Sequence, residues 1–240
     1  MTDLLYTHDS YIQTFDALVS AVEEAEHAVL LNRTAFYPSG GGQPCDYGTL
    51  MVDGVPHRVL KVQKRADGQV LHHLAPELPL PSVGAAVVGQ LDWERRYLLM
   101  RTHTALHILS AVIFRDYSAQ VTGGNMEPGE GRLDFEFETL HGDFVRQVEA
   151  ALNVEVAAAR PISVRVLPRE EAFQIPDLIR TKVNLLPPNI SHVRVVSIEG
   201  LDVQADGGTH VRNTAEVGAI RVSDYKSKGK LNKRIYISLA

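Results

Sequence analysis

The hydrophobic pattern of this 240-residue chain changes at about Asp92, and this change constrains the fold more than any other feature. Before it, short apolar or alternating runs such as 28–31 are separated by turn signals at Asp53-Gly54 and Asp67-Gly68. Many short strands at this spacing favour a small barrel or a strongly curved sheet. After it, apolar residues recur at helical spacing over Trp93–Tyr117, which predicts one long helix.

Further signals divide the chain into two parts. Residues 11–25 fit either a strand or a helix, and we favour a strand, while the proline-rich stretch 78–81 is expected to be a surface loop. Other strands are predicted at 59–62, 87–93, 132–138, 162–167, 193–198 and 235–239, and a second helix at 142–160. The sequence therefore predicts an α+β protein with a small N-terminal β-barrel domain (1–92) and an α/β two-layer domain (93–240).

Composition excludes several classes of protein. Apolar residues make up 45% of the chain and charged residues 22%, as in ordinary globular proteins. No unbroken apolar run approaches the length of a membrane span, and the N-terminus lacks the pattern of a secretory signal. The single cysteine, Cys45, excludes an internal disulfide and fits a reducing compartment. We therefore expect a cytoplasmic protein without membrane association, and no stable protein partner is indicated.

Charge is distributed unevenly along the chain. The net charge is −5, but residues 221–240 contain six basic residues and one acid, so that they carry +5 and the remainder −10. A basic terminal segment on an acidic body favours the docking of a polyanion. A solvated hairpin whose lysines bind nothing is the alternative.

Two pairs of side chains have the spacing of metal ligands. Among ten histidines, His103 and His107 are the one pair four residues apart, and such residues share a helix face. Thr104 stands where a zinc metalloprotease needs glutamate, so that class is excluded. A second pair, Asp206 and His210, encloses two glycines, whose conformational freedom suits a ligand loop as well as a plain turn. Together the four side chains predict a divided metal site.

Several ordered motifs carry a resemblance to a known family. They are FYPSGGGQP at 36–44, LDWERRY at 91–97, RTHTALH at 101–107, GGTHV at 207–211 and KSKGK at 226–230. Over nearly its whole length the chain resembles the AlaX family of free-standing alanyl-tRNA editing proteins, relatives of the editing domain of alanyl-tRNA synthetase. The N-terminal barrel with its glycine-rich motif is similar to the longer, two-domain forms.

The resemblance implies a hydrolase that removes serine, with glycine as a second candidate, from mischarged tRNA(Ala). Residues 93–240 would form the editing domain and bind one Zn²⁺ through His103, His107, Asp206 and His210. The zinc would activate water, polarise the ester carbonyl, or mainly orient the substrate. Gly207 and Gly208 are expected to line the substrate site. The residues expected to hold the tRNA acceptor stem are Lys226, Lys228, Lys230, Lys233 and Arg234.

Selection of serine over alanine requires a partner for the serine hydroxyl, because a site built to bond that group rejects an analogue without it. Thr104 is the candidate for this contact, and the alternative is a threonine bonded to its own helix. The resemblance places Gly40, Gly41, Gly42 and Gln43 near the editing pocket, where they would assist serine selection, with Gln43 acting in catalysis. The alternative for this loop is a hairpin between barrel strands.

The departure from the family pattern is at Asp206, where the family has cysteine in Cys-Gly-Gly-Thr-His. A carboxylate is an accepted zinc ligand but a harder one than thiolate, and it would be less selective for zinc over iron or manganese. Three outcomes remain open: Asp206 ligates the metal, it turns away and leaves a three-histidine site, or metal and activity are lost. Cys45 could be recruited, but a small buried thiol is the simpler interpretation.

Two functional hypotheses therefore remain. The first is a metal-dependent aminoacyl-tRNA deacylase that acts in trans. The second is a catalytically reduced tRNA-binding or metal-binding module. An editing domain specific for threonyl-tRNA is a weaker alternative to the first.

Overall fold

The computed structural model describes residues 2–137, 141–184, 186, 190–229 and 231–240. It divides the chain into two compact units, Met1–Tyr97 and Leu98–Ala240. The described residues form an α+β protein whose N-terminal part contains a closed barrel, so the predicted fold class is confirmed.

The first unit is a six-stranded barrel with a small added sheet. Its strands are β1 Asp3–Leu4, β2 Thr14–Glu23, β3 Ala28–Leu31, β4 Arg33–Thr34, β5 Gly48–Val52, β6 Val55–Lys64, β7 Val70–Leu74 and β8 Ala86–Leu91. The barrel closes in the order β2-β3-β7-β6-β5-β8, while β1 and β4 pair in parallel beside it. Residues 11–25, ambiguous in the sequence, provide the ten-residue strand β2.

Alternation along β2 and β8 fills the barrel core. Phe15, Ala17 and Val19 of β2 are buried and their neighbours along the strand are exposed, as expected for a strand with one face toward the core. Phe15 pairs with Gly89 of β8, where an added Cβ would lie 2.3 Å from the Phe15 ring. Glycine is therefore required at position 89 for the ring to enter the core.

A buried ion pair stands beside the barrel. The side chains of Arg96 and Asp46 are both 0% exposed. The Arg96 guanidinium bonds both carboxylate oxygens of Asp46 and also donates to the carbonyls of Ser10, at 2.9 Å, and Ala35, at 2.5 Å. The carboxylate also accepts the backbone N–H of Tyr37 at 2.6 Å. Four segments of the unit, at Ser10, Ala35–Tyr37, Asp46 and Arg96, are thus joined at one point.

The long helix α1 has the predicted bounds, Trp93–Tyr117. Strand β8 ends at Leu91, two residues before the first residue of the helix. Asp92 caps the N-terminus of the helix, because its carboxylate accepts the backbone N–H of Arg95 at 3.1 Å. By length and composition α1 resembles a membrane span, but 78% of its most apolar 18-residue window is buried inside the protein. This burial is that of a core helix, and no membrane protein is indicated.

The second unit has two antiparallel sheets. Its further elements are β9 Val121–Glu127, β10 Glu130–Glu136, α2 Gly142–Ala157, β11 Ile162–Pro168, α3 Arg169–Ala172, β12 His192–Ile198, β13 Asp202–Ala205, β14 Ile220–Ser227 and β15 Asn232–Leu239. One sheet has the order β14-β15-β10-β9 and the other β11-β12-β13. Leu106 of α1 lies against Gly131 of β10, so the helix packs on the first sheet.

Three sequence assignments differ from the structure. Helix α2 ends at Ala157 rather than residue 160, because Ala159 adopts a left-handed conformation and Pro161 follows. The strand assigned to 132–138 runs over Glu130–Glu136, and residue 138 lies outside the described residues. The remaining difference concerns the other strands: the strand assigned to 87–93 ends at Leu91, and β1, β4, β5, β7, β9, β13 and β14 are absent from the predicted set.

We predict that Asp46→Asn lowers the free energy of unfolding of the first unit by about 3 kcal/mol or more, because it leaves the Arg96 charge buried without a counter-ion. The single tryptophan, Trp93, belongs to this unit, so its fluorescence during urea unfolding measures the effect. Glu77→Gln is the matched control, since Glu77 pairs with Arg58 on the surface at 61% and 62% exposure. The control should cost much less, because an exposed ion pair contributes little to stability. Equal losses in the two variants would contradict the prediction.

Candidate metal centre

Helix α1 presents two buried imidazoles to one point. His103 and His107 are each 7% exposed, and their ring centroids lie 5.1 Å apart, as expected for residues separated by one helical turn. The helix is already fixed by its packing on the sheet, so the two rings are held without a flexible loop. This arrangement agrees with the helix face predicted from the sequence.

The segment after β13 brings the second pair. The Asp206 backbone N–H donates to the carbonyl of Arg194 at 3.1 Å, which continues the pairing of β13 with β12. The Asp206 side chain accepts the backbone N–H of Gly208 at 2.7 Å. His210 then lies with its ring stacked on that of His103, with 4.4 Å between centroids.

The three histidines approach the Asp206 carboxylate with the same ring atom, Nε2. Each histidine directs its Nε2 atom toward the carboxylate of Asp206, at 3.0 Å for His210, 3.5 Å for His103 and 4.0 Å for His107. The four potential ligand atoms all lie within 4.8 Å of one another. Ligands of a tetrahedral zinc at 2.0–2.2 Å are about 3.3–3.5 Å apart. The cluster is therefore close to the size of such a site and can hold a metal ion.

At His103, His210 and Asp206 the electrostatics favour the protonation states that metal ligands need. Burial lowers the pKa of His103 to about 4, and burial together with the charge of His103 holds the pKa of His210 well below its usual value. Burial opposes ionisation of Asp206, but the nearby histidines, His103 first, outweigh it and keep its pKa well below the usual range. Near neutral pH these histidines are neutral and Asp206 is ionised, as metal binding requires.

Thr104 stands behind His210. Its side chain is 0% exposed, and its Oγ1 lies 3.1 Å from Nδ1 of His210, on the side of the ring away from Asp206. The same oxygen accepts the backbone N–H of Val211 at 3.4 Å. These contacts differ from the alternative of a bond to its own helix, and the predicted contact with a serine hydroxyl stays a prediction. They favour a role in positioning His210.

Two polar residues near the cluster were missed in the sequence. The Asp202 carboxylate lies 3.4 Å from Nδ1 of His107, and both side chains are buried. Arg194 donates to the backbone carbonyl of Asp206 at 3.0 Å, and its guanidinium lies 3.8 Å from the carboxylate. Against the lowering effect of burial, Asp202 and Asp206 together raise the pKa of His107. The one sequence signal that could have indicated Asp202 is its position four residues before Asp206, at the other end of the short strand β13.

The paired glycines have a different role from the expected one. Gly207 and Gly208 do not belong to the left-handed glycines found in the described residues, and a Cβ at Gly207 would meet no atom within 4 Å. The loop therefore does not use the positive φ values that glycine permits. Gly208 contributes the N–H that orients the Asp206 carboxylate. Substrate contact by either glycine stays a prediction.

The glycine-rich segment of the first unit is a tight turn. Gly40 and Gln43 form paired backbone hydrogen bonds of 2.9 and 3.1 Å, and Gly41 and Gly42 between them both have positive φ. Tyr37 fixes the turn by donating its hydroxyl to the Gly40 carbonyl at 3.0 Å. The three glycines are exposed, whereas Gln43 is buried. Left-handed conformations explain why Gly41 and Gly42 are needed, and the predicted roles of the loop and of Gln43 in the reaction stay predictions.

The basic residues of β14 and β15 are not equivalent. Lys228 and Lys226 are exposed, the latter paired with Asp224 at 2.9 Å. Arg234 is half-buried and bonds both carboxylate oxygens of Asp134, at 2.5 and 2.7 Å. Lys233 is buried, and its ammonium donates to Ser227 and to the Gly229 carbonyl. Lys233 thus bonds within its own hairpin, its predicted contact with tRNA stays a prediction, and Lys230 lies outside the described residues.

Comparison with family models relates the chain to tRNA synthetases. Residues 193–236 match the threonyl and alanyl tRNA synthetase second additional domain. Residues 8–95 match the model for class II (A) tRNA synthetases. The first match contains Asp206 and His210, as well as β14 and most of β15.

Similarity to individual proteins extends over the whole chain. The alanyl-tRNA editing protein AlaX-M of Saccharolobus solfataricus is 38% identical over 240 residues, which are 100% of this chain and 99% of the relative. AlaX-M of Methanosarcina acetivorans is 37% identical over 246 residues, with the same coverage of both chains. The alanine–tRNA ligase of Pyrobaculum neutrophilum is 36% identical over 225 residues, which are 91% of this chain and 25% of the ligase. With this full-length similarity, the chain belongs to the AlaX-M family of alanyl-tRNA editing proteins.

Proposed function

We propose that this protein is a metal-dependent, cytoplasmic deacylase that hydrolyses the ester of serine, and secondarily of glycine, on mischarged tRNA(Ala). The observation that carries the proposal is the convergence of three Nε2 atoms on the Asp206 carboxylate in a chain of this family. Two imidazoles from a helix and two further ligands from a distant loop are a donor set that suits Zn²⁺. Family membership supports the tRNA ester as substrate.

The residues of the chain supply a preorganised site for this reaction. A zinc ion, when bound, supplies a positive charge that can lower the pKa of a water or polarise the ester carbonyl. His103, His107 and His210 hold their Nε2 atoms at fixed positions, because each ring is at least 93% buried among packed neighbours. Gly208 holds one Asp206 oxygen through its N–H, which leaves the other oxygen, Oδ1, toward His103 and His107. Such an arrangement needs little reorganisation when substrate arrives.

The position of Thr104 refines its expected role. The Thr104 oxygen already bonds Val211 and faces His210, so we assign it to orienting that ring. Its contact with a serine hydroxyl remains a weaker proposal. Selection against alanine still requires a polar group that bonds the serine hydroxyl, because its loss leaves that group unpaired. Gly40, Gly41, Gly42 and Gln43 remain candidates for this task.

The first test removes one ligand. We expect the full chain to bind one equivalent of Zn²⁺, and His103→Ala to lose metal and to slow Ser-tRNA(Ala) deacylation by about 100-fold or more, since even outer residues of metal sites are worth 10–100-fold. Metal content and the rate of serine release measure these effects. His192→Ala, at an exposed histidine of the same unit, should change neither. Binding of tRNA by the wild type without turnover would instead support the non-catalytic alternative.

The second test concerns the unusual ligand. We predict that Asp206→Cys raises the affinity for Zn²⁺ relative to Mn²⁺, because a thiolate is a softer ligand than a carboxylate. Competition between the two metals, followed by metal analysis, measures the ratio. Asp224→Cys is the control, since it adds a thiol at an exposed position of β14. Unchanged metal content and affinity in Asp206→Cys would show that Asp206 is not a ligand, and a three-histidine site would replace it.

The third test asks whether Lys228 contacts a phosphate of the tRNA. If the exposed end of the hairpin formed by β14 and β15 contacts phosphates, Lys228→Ala should weaken tRNA binding and reduce the slope of log affinity against log salt by about 1. Affinities measured at several salt concentrations give this slope. Lys61→Ala removes an exposed charge from the barrel instead and should leave the slope unchanged. Identical slopes for Lys228→Ala and the wild type would exclude a phosphate contact by Lys228.

A further inference from the structure

A second buried aspartate lies beside the metal cluster. Asp202 is the first residue of β13, and its side chain is 1% exposed. Its Oδ2 lies 3.4 Å from Nδ1 of His107 and 2.7 Å from the amide nitrogen of Gln204. Its Oδ1 lies 3.3 Å from Nε of Arg180. This carboxylate is not one of the four grouped ligand atoms, so its burial needs another explanation.

The direction of the His107 ring supplies that explanation. Its Nε2 atom faces Asp206 and the ligand cluster, while Nδ1 faces Asp202 on the opposite side. A neutral imidazole that ligates through Nε2 carries its proton on Nδ1, and this proton needs an acceptor. Within the described part of the chain Nδ1 has no conventional hydrogen bond to another group. Asp202 is therefore the acceptor placed for it.

We propose that Asp202 is a positioning residue of the metal site, which fixes the tautomer and orientation of His107 and strengthens it as a ligand; this inference rests on the proposed metal-dependent function. A carboxylate behind a ligating histidine increases the basicity of the ring and restricts its rotation. His210 has a neutral hydroxyl, that of Thr104, in the equivalent place. The His210 ring therefore has a neutral hydroxyl at its Nδ1 atom, whereas the His107 ring has a carboxylate there.

Arg180 makes this arrangement possible. A carboxylate buried without a counter-charge would be strongly unfavourable, and the Arg180 guanidinium supplies that charge. The guanidinium also stacks over the ring of Phe114, with 3.9 Å from its central carbon to the ring centroid. Phe114 belongs to α1, two turns beyond His107, and the Arg180 carbonyl accepts the N–H of Val121. Arg180 therefore connects Asp202 to the helix that carries the ligand.

The experiment compares two buried carboxylates. Asp202→Asn removes the charge behind His107, whereas Glu155→Gln removes a buried carboxylate that pairs with Arg115 and Arg160 away from the cluster. Zinc affinity is measured on the full chain by competition with a chelating dye, and the visible spectrum is recorded with Co²⁺ in place of zinc. We expect Asp202→Asn to weaken zinc binding by about 10–100-fold and to shift the Co²⁺ spectrum. Glu155→Gln should reduce thermal stability with zinc affinity unchanged.

If Asp202→Asn does not fold, the tautomer of His107 can be measured on the wild-type protein instead. Long-range ¹⁵N–¹H NMR of the zinc-loaded wild type should show His107 protonated at Nδ1, and protonation at Nε2 would overturn the proposal. Equal zinc affinity in Asp202→Asn and the wild type would also overturn it while leaving the proposed function intact. Weakened zinc binding with no deacylation by the wild type would support Asp202 and reject the hydrolase. A wild type that binds no metal would reject both.

Discussion

The burial of ionised carboxylates is the constraint on which both units depend. Removing a carboxylate from water costs several kcal/mol unless charges and hydrogen bonds compensate for it. In the first unit Asp46 is compensated by Arg96 and a backbone N–H, and the outcome is a rigid junction of several segments. In the second, Asp202 is compensated by Arg180, while Asp206 has three imidazoles and the Gly208 N–H. The same requirement thus produces a structural anchor in one unit and a site suited to a cation in the other.

The parts of the fold that follow from local periodicity were predictable. Helix α1 was assigned with its observed bounds because its apolar residues repeat at helical spacing, and the barrel because turn signals separate short alternating runs. The face shared by His103 and His107 followed from the helix geometry. The approach of Asp206 to that face, about a hundred residues later, has no local signal. It was inferred from several motifs in their order along the chain, and the structure brings these side chains together.

Other features could not be predicted because they arise from tertiary pairing. The burial of Lys233 has no local signal, because it follows from the pairing with Phe135 across β15 and β10, which turns the side chain to the buried side. The contact of Asp202 with His107 has no local signal in the sequence, because only the position of α1 places His107 against it. The neighbour of Thr104 could not be predicted either, because the path of residues 206–211 is what places His210 beside its hydroxyl. In each case a distant segment determines which neighbour the side chain meets.

The composition of the cluster has a consequence for its chemical durability. The four potential ligands are three imidazoles and the Asp206 carboxylate, so they contain no sulfur. A thiolate ligand can be oxidised through sulfenic to sulfinic acid, which releases the metal, whereas carboxylate and imidazole have no such ladder. The one thiol of the chain, Cys45, is buried in the barrel core, away from bulk peroxide. Oxidation of sulfur therefore cannot remove a potential ligand from this cluster.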